Sequence, residues 1–421
     1  MSNIARIMKQ AAAGVIKTVD ANLGSRSTFS QDYDNDASAV TRVGTSNYYA
    51  MVQYDTQSKH GRIYIIYYNP SNSSFTLISN NAAWTAWSTD QYASIVDDHA
   101  NSGRVACIAQ TNTFYPSIFS FKVNTSNGAY SSTENYQISN DSDYGQTSNS
   151  NNIIKTSSGI LAMFHEQNGQ WRPYEISLSS GGLNSKSFGT GIGTPTLNRS
   201  DYTAFLYSSD IDRFYIFWKH SSTAQIRWGS FSYNFSNGSY GHQDGATVYT
   251  PSSSSNIAGV RGVSLETTGG ADKLFIVYER GYSNGRQYRA QTLTPYLDGN
   301  NYGKYTNSST KNFDYSDLNS ISGASWSNNN SIYFMEVEPV SGAPIFGDSD
   351  GKLYQFVLDK STQTLPSTFT DGAIFIGNFG NSQYMGGART CNFIAPYDDT
   401  TSLIITGGYN YNQARLFNGQ Y

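Results

Sequence analysis

Seven apolar segments recur along this chain at nearly constant spacing: "YYAMVQYD", "GRVACIAQ", "GILAMFHE", "DRFYIFWK", "DKLFIVYE", "SIYFMEVE" and "SLIITGGY". Aligned on Met51, Cys107, Met163, Ile216, Ile276, Phe334 and Ile405, they lie 56, 56, 53, 60, 58 and 71 residues apart. Such a period signals a supersecondary unit that cannot bury its apolar face alone and relies on copies packed beside it. Within each unit a strand of small residues, such as "YASIVDD" or "DYTAFLYS", precedes the apolar one. A third strand follows with period-2 alternation, among them "RIYIIYYN", "SIFSFKVN", "IRWGSFSYN" and "KLYQFVLD", as expected when one face is packed and the other more polar. A fourth, short strand such as "SFTLIS" or "ATVYT" closes the unit.

Between the third and fourth strands stands a recurring phrase, "YNPSNSSF" at 68–75, "VNTSNGAY" at 123–130 and "YNFSNGSY" at 233–240. Its Asn-Gly dipeptide predicts a two-residue type I′ hairpin. Four antiparallel strands recurring seven times predict an all-β chain, a seven-bladed β-propeller of four-stranded antiparallel blades. The blades are expected at about 37–80, 90–140, 145–190, 200–250, 257–314, 320–376 and 387–421. The last unit ends one strand short, while "RSTFSQ" at 26–31 is a surplus strand before the first. The expectation is that 26–31 closes the ring, within a propeller domain spanning 25–421, because an incomplete blade would leave a sheet edge unpaired.

Residues 1–24 read differently. Ile4, Ile7, Met8, Ala11, Ala12, Val15, Ile16 and Val19 recur at helical spacing, which predicts a short amphipathic N-terminal anchor helix ending at Gly24. Its apolar stripe needs a partner: the underside of the propeller, a second copy in a homo-oligomer, or a socket on a larger particle.

Composition supports this reading and excludes others. With 33 Tyr, 22 Phe and 38 Gly against only 14% charged residues, the chain favours strands and polar turns over helices. A net charge of −4 without a Lys/Arg cluster gives no footprint for nucleic acid. No 18-residue apolar run predicts membrane insertion, and the N-terminus lacks the pattern of a cleaved signal peptide. Cys107 and Cys391 fall in predicted strands without metal or disulfide spacing and read as buried thiols.

Chemistry-bearing motifs are sparse, and the expectation is of a non-enzymatic chain without cofactor or metal. "DYDNDAS" places Asp32, Asp34 and Asp36 as a calcium loop begins, but Ala37 replaces its glycine and Val43 its closing glutamate. "DSDYGQTSN" at 141–149 is similar to the Asp-box turn of sialidases, yet Asp141 replaces the leading serine and the tryptophan is missing. Of the histidines, His165, His220 and His99 have acidic or basic neighbours in sequence, but strand neighbours point to opposite faces and make no catalytic pair. Glu166, Glu279 and Glu336 stand near corresponding strand ends and would be the carboxylates of a polysaccharide-degrading glycosidase if they met in a central funnel. Trp84 and Trp87, in the expected connection "AAWTAWSTD" between the first two blades, are candidates for stacking on glycan rings.

One resemblance adds to this. "MSNIARIMKQAAAG" resembles the N-terminal segment that opens tail-fibre and appendage-type structural proteins of marine and cyanobacterial tailed phages, although no Gly-rich linker follows it here. The resemblance implies a virion protein, released by host lysis, docked to other virion proteins through its N-terminus. It would display the propeller toward a host-surface glycan or receptor as a compact knob or decoration. The alternatives are a free lectin-like propeller and the glycosidase.

Overall fold

The computed structural model describes residues 15–16, 22–23, 27–30, 35–55, 60–85, 94–98, 103–110, 116–137, 153–165, 171–179, 182–187, 203–220, 223–251, 259–266, 271–282, 285–328, 330–332, 334–337, 342–347, 352–359, 362–366, 372–378, 394–398, 401–406 and 411–418. Among these, six consecutive stretches each form a four-stranded antiparallel sheet whose strands pair in chain order. The first blade is Asn35–Arg42, Tyr48–Asp55, His60–Asn69 and Ser74–Thr85. The second is Ser94–Asp97, Arg104–Gln110, Pro116–Val123 and Tyr130–Gln137. Ile153–Lys155, Ile160–His165, Trp171–Ser179 and Gly182–Ser187 make the third. The fourth is Ala204–Ser208, Arg213–Lys219, Ile226–Asn234 and Ser239–Tyr249. The fifth is Val260–Leu265, Lys273–Tyr282, Arg286–Leu297 and Gly303–Asp314. Phe334–Val337, Pro344–Gly347, Lys352–Phe356 and Ala373–Asn378 form the sixth.

Burial follows position within the blade. Arg213–Lys219, a second strand, is buried at every residue but its last, whereas the fourth strand Gly303–Asp314 is mostly half-buried or exposed. A second strand has neighbouring blades on both faces and therefore reads as a continuous apolar run, while the outer strand meets water. The core is accordingly not one mass but a series of seams between blades. Phe121 and Cys107 of the second blade pack with Val52 and Ile65 of the first, and Phe217 and Trp228 of the fourth with Ile276 and Tyr278 of the fifth. Cys107 is a free, fully buried thiol whose pKa is pushed up by burial, against a smaller opposing effect of its hydrogen bond to Phe119 backbone. Cys391 lies outside the described residues.

Several expectations are corrected. Among the described residues six blades of four strands are present, and the C-terminal strands Ile394–Pro396, Ser402–Thr406 and Tyr411–Asn418 belong to a five-stranded sheet. Its other members come from the opposite end of the chain: Asn22–Leu23 and Ser27–Ser30 both pair antiparallel with Tyr411–Asn418. The predicted helix does not run through 15–24, since Val15–Ile16 is a strand pairing with Leu358–Asp359 and Asn22–Leu23 is another. Gly14 is a poor helix residue, and β-branched Val15 and Ile16 suit a pleated edge that supplies hydrogen bonds a short isolated helix would have to find in itself. Ile4, Ile7, Met8 and Ala11 lie outside the described residues. In the sixth unit the order differs from the expected one by a strand: "SIYFMEVE" contributes the innermost strand Phe334–Val337, and Pro344–Gly347 takes the second place. Both are only four residues long, so periodicity alone does not order them.

The hairpin phrase makes a longer turn than type I′. Asn124 donates its N–H to the Ala129 carbonyl, and Gly128 N–H reaches back to the Asn124 carbonyl at 2.7 Å; Asn234 and Gly238 repeat the second bond at 2.7 Å. Only the glycine takes positive φ, at +74° for Gly128 and +70° for Gly238. A type I′ turn would need it at both central residues. Instead each asparagine folds the chain by an Asx turn, Asn234 Oδ1 accepting from Ser236 N–H at 2.9 Å and Asn237 Oδ1 from Ser239 N–H at 2.9 Å.

Hairpins between third and fourth strands seat several blades on the ones before them. Tyr48 of the first blade donates its hydroxyl to the Ser126 carbonyl in the hairpin of the second at 3.4 Å. In the fourth blade, the Phe235 ring lies so close over Gly159 of the third that a Cβ there would come within 2.3 Å. Arg213 Nη2 of the fourth blade donates to Asn301 O of the fifth at 2.9 Å, and Gln363 Nε2 of the sixth to Glu266 O of the fifth at 2.7 Å.

Among the described residues one helix, Tyr315–Ser320, is present; it follows the fifth blade with Leu318 buried. Asp314 caps it: its carboxylate accepts from Ser316 and Asp317 N–H groups while Asp317 bonds back to the Asp314 N–H. Burial works against the ionised form, but the Ser316 and Asp317 hydrogen bonds outweigh it and hold the Asp314 carboxyl below its usual value. Asp314→Ala is expected to cost about 1 kcal/mol at neutral pH. The folded state favours ionised Asp314, so this contribution is present above the ordinary carboxylate range and is lost as pH falls through the lowered value. Urea unfolding of both proteins at neutral and acid pH should show the gap closing.

Candidate functional site

The innermost strands of the second to sixth blades enclose a central cavity of about 620 Å³. Its apolar wall comes from strand residues such as Val96, Ile154, Leu206, Val263 and Val337, and its polar groups both from those strands, as Lys155, Ser264 and Glu336, and from the turns that follow them, as Ser209, Asp210 and Asp272. The placement has a local cause. An inner strand packs much of its length against neighbouring sheets and is mostly apolar there, while the side chains facing the central space and the turns beyond the strand can be polar because they meet water.

Two turns are locked together at the wall. Asp272, buried in the fifth blade, accepts the Ser209 N–H and hydroxyl, each at 2.8 Å, and the Asp210 N–H at 3.3 Å. Asp210 returns the contact by accepting from the Asp272 N–H. Nearby, Tyr207 N–H donates to Ser264 Oγ at 2.9 Å. With three donors on one oxygen, Asp272 fixes the angle between the fourth and fifth blades rather than standing ready for a ligand. Tyr207 donates its hydroxyl to Asp212 Oδ1 at 2.9 Å, and burial, with the Asp212 and Asp272 charges, keeps that phenol protonated well above its ordinary range. Across the cavity Lys155 Nζ of the third blade lies 2.6 Å from Asp97 Oδ1 of the second. Glu266 and Glu336 line the same space.

The residues singled out in the sequence divide. Glu336 reaches the cavity because its segment is an inner strand. Glu279 does not: it is buried in a second strand, 2.5 Å from Arg286 Nη1. Glu166 and Trp87 lie outside the described residues, as do His99, Asp32, Asp34, residues 141–149 and the N-terminal anchor positions before Val15. Trp84 is not in a loop; it belongs to the fourth strand of the first blade, opposite Gly61. Asp36 likewise lies in the strand Asn35–Arg42, and among the described residues no group of three His, Cys, Asp or Glu side chains could hold a metal ion. His165 is paired with Trp171 along the third blade, while His220 hydrogen-bonds Thr223 and is held below its usual pKa by burial and then by Arg227. Among the described residues no helix is long and apolar enough to cross a membrane.

Sequence reasoning passed over Lys155, Asp210 and Asp272. The available signal was positional, in the polar residues bracketing the second strand of successive repeats, as in "SSDIDR" and "GGADK".

This architecture is that of a β-propeller, and the chain is one. No family model matches it, and no curated protein does. Among solved structures it is similar to one described as a candidate 6-phosphogluconolactonase of Bacteroides uniformis, with a TM-score of 0.50 and 8% identity over 80% of this chain and 87% of that one. The periplasmic gluconolactonase of Pseudomonas aeruginosa gives 0.48 and 10% over 77% and 82%. The Nup133 β-propeller domain of Vanderwaltozyma polyspora gives 0.47 and 10% over 94% and 100%. At these identities the likeness is one of fold. The expectation of a chain without enzymatic activity is corrected to this extent: a solved propeller of the same fold, at a TM-score of 0.50, is described as a candidate 6-phosphogluconolactonase, so the fold does not set this chain apart from enzymes.

Proposed function

We propose that the chain is a recognition propeller whose central cavity takes a polyhydroxylated ligand such as a sugar. The observation that carries this reading is the cavity's composition: apolar strand residues beside hydroxyl and carboxylate groups, Ser209, Ser264, Glu266 and Glu336, at a size suited to a small ligand. The wheel on which it sits is proposed to close as seven blades. In support, the five-stranded sheet packs Ala395 and Leu403 against Val40 and Met51 of the first blade, as one blade packs on the next, and strands from both chain ends complete it. The resemblance of residues 1–14 to phage appendage proteins supports placement on a virion, where a host-surface glycan would be the ligand.

A hydrolytic reading draws on the same cavity. Glu336 and Glu266 could serve as general bases toward a bound sugar lactone, as carboxylates do when within reach of an attacking water. One experiment separates the two. Calorimetric titration with neutral sugars and aldonolactones should show binding that Glu336→Gln weakens about tenfold, roughly 1.4 kcal/mol. Release of acid from the lactone, lost in Glu336→Gln, would establish the hydrolase; no binding by any member would overturn both.

A further inference from the structure

A second cavity, of about 940 Å³, lies away from the centre, where the hairpin of the fourth blade meets the third. It is lined by Tyr233, Phe235 and Tyr240 together with Ser158, Asp212 and Asn234, among others. We propose that this cleft is a separate binding site for a neutral saccharide, one that does not depend on the reading given to the central cavity.

The rings are built into place from both sides. Phe235 rests on Gly159, where the missing Cβ leaves the space, and meets Tyr233 edge to face at 4.8 Å and 74°. Tyr233, buried, is held by donating its hydroxyl to Glu175 of the third blade. Tyr240 stands edge-on to Phe231 at 6.4 Å and 89° and lies near His242 at 6.0 Å. Phe235 and Tyr240 are only half-buried, so part of each ring is presented to the cleft. Rigid aromatic area with few rotamers to freeze is what stacking on a sugar ring requires.

The polar groups narrow the ligand class. Among the described residues that line the cleft none is a lysine or arginine, so a phosphate, sulfate or uronate would meet the Asp212 carboxylate without a counter-charge from them. Asp212 is positioned by the bond from Tyr207, and Asn234 by the bonds its Oδ1 accepts from the Ser236 N–H and hydroxyl. Fixed acceptors beside serine hydroxyls suit a ligand rich in hydroxyl groups. Where the fourth blade has Phe235, the otherwise matching hairpin of the second has Thr125, so the pair of rings formed by Phe235 and Tyr240 is reduced there to Tyr130 alone.

The test is ligand-observed NMR and calorimetry on the full chain, using a panel of neutral di- to hexasaccharides built from hexoses and N-acetylhexosamines. At least one should bind, with Tyr240→Ala weakening it tenfold or more, Asp212→Asn severalfold, and Glu336→Gln leaving it unchanged. Should Tyr240→Ala fail to fold, Asp212→Asn and Phe235→Leu carry the same readout. Binding abolished by Glu336→Gln but untouched by the cleft variants would place the sugar in the central cavity and overturn this inference while upholding the other. Absence of binding across the panel at about millimolar ligand, or preference for a quaternary ammonium compound, would also overturn it.

Discussion

Phe356→Ala should lower stability by about 3–5 kcal/mol, the usual cost of emptying a fully buried phenylalanine site. Phe356 lies in the third strand of the sixth blade with no exposed surface. Its ring is 4.4 Å from Phe346 in its own blade and 4.8 Å and 5.9 Å from Phe275 and Phe313 of the fifth. It therefore fills the seam between two sheets, neither of which has a closed core of its own. Truncation removes contacts on both sides, and the surrounding rings cannot collapse far because each is anchored in a hydrogen-bonded strand. Phe356→Leu, which keeps most of the volume, should cost less than about 2 kcal/mol. Urea unfolding followed by fluorescence would measure both. A loss under about 1 kcal/mol for the alanine variant would mean that the seam does not hold the fifth and sixth blades together.

Arg286→Met is expected to be comparably damaging for a different reason. It keeps the apolar stem but strips the counter-charge from Glu279, whose side chain is only 6% exposed and whose carboxylate lies 2.5 Å from Arg286 Nη1. Breaking a buried pair on one side leaves an uncompensated charge, at a typical cost of about 3–5 kcal/mol. Replacing both partners with apolar residues removes that penalty, so Glu279→Met with Arg286→Met should recover most of the loss. A single variant costing no more than an exposed ion pair, about 0–1 kcal/mol, would show that water reaches Glu279. The result also bears on function, because a carboxylate committed to a neighbouring strand is not one offered to substrate.

What could be read in advance was whatever repeats locally. The apolar second strands, the alternating third strands and the asparagine-rich turns each carry their own period or turn chemistry, and that is why the strands of the first five blades could be ordered from the chain alone. The sixth blade departs from the expected order because Phe334–Val337 and Pro344–Gly347, at four residues each, are too short for a period to show. The type I′ turn was misjudged because Asn-Gly is only half the signal; the asparagine three residues earlier also folds the loop, as Asn124 does by accepting the Ser126 N–H at 2.8 Å. At the N-terminus, Val15 and Ile16 fit a helical stripe and a strand equally well. The edge at Leu358–Asp359 decided between them.

The site divides in the same way. The three glutamates at corresponding strand ends were equivalent by position, yet Glu336 lines the cavity and Glu279 is buried against Arg286. Trp84, in a segment whose sequence reads as a connection, extends the fourth strand of its blade instead.

By itself the sequence determined the kind of unit and its internal order, since alternation, apolar runs and turn residues act between neighbours in the chain. Only the tertiary structure decided which units touch and what lies between them. The pairing of Ser27–Ser30 with Tyr411–Asn418, the lock between Asp210 and Asp272, and the seating of Phe235 on Gly159 join positions far apart in sequence. Such meetings depend on the angle between successive sheets, a quantity set by side-chain packing at every seam at once and written in no local pattern.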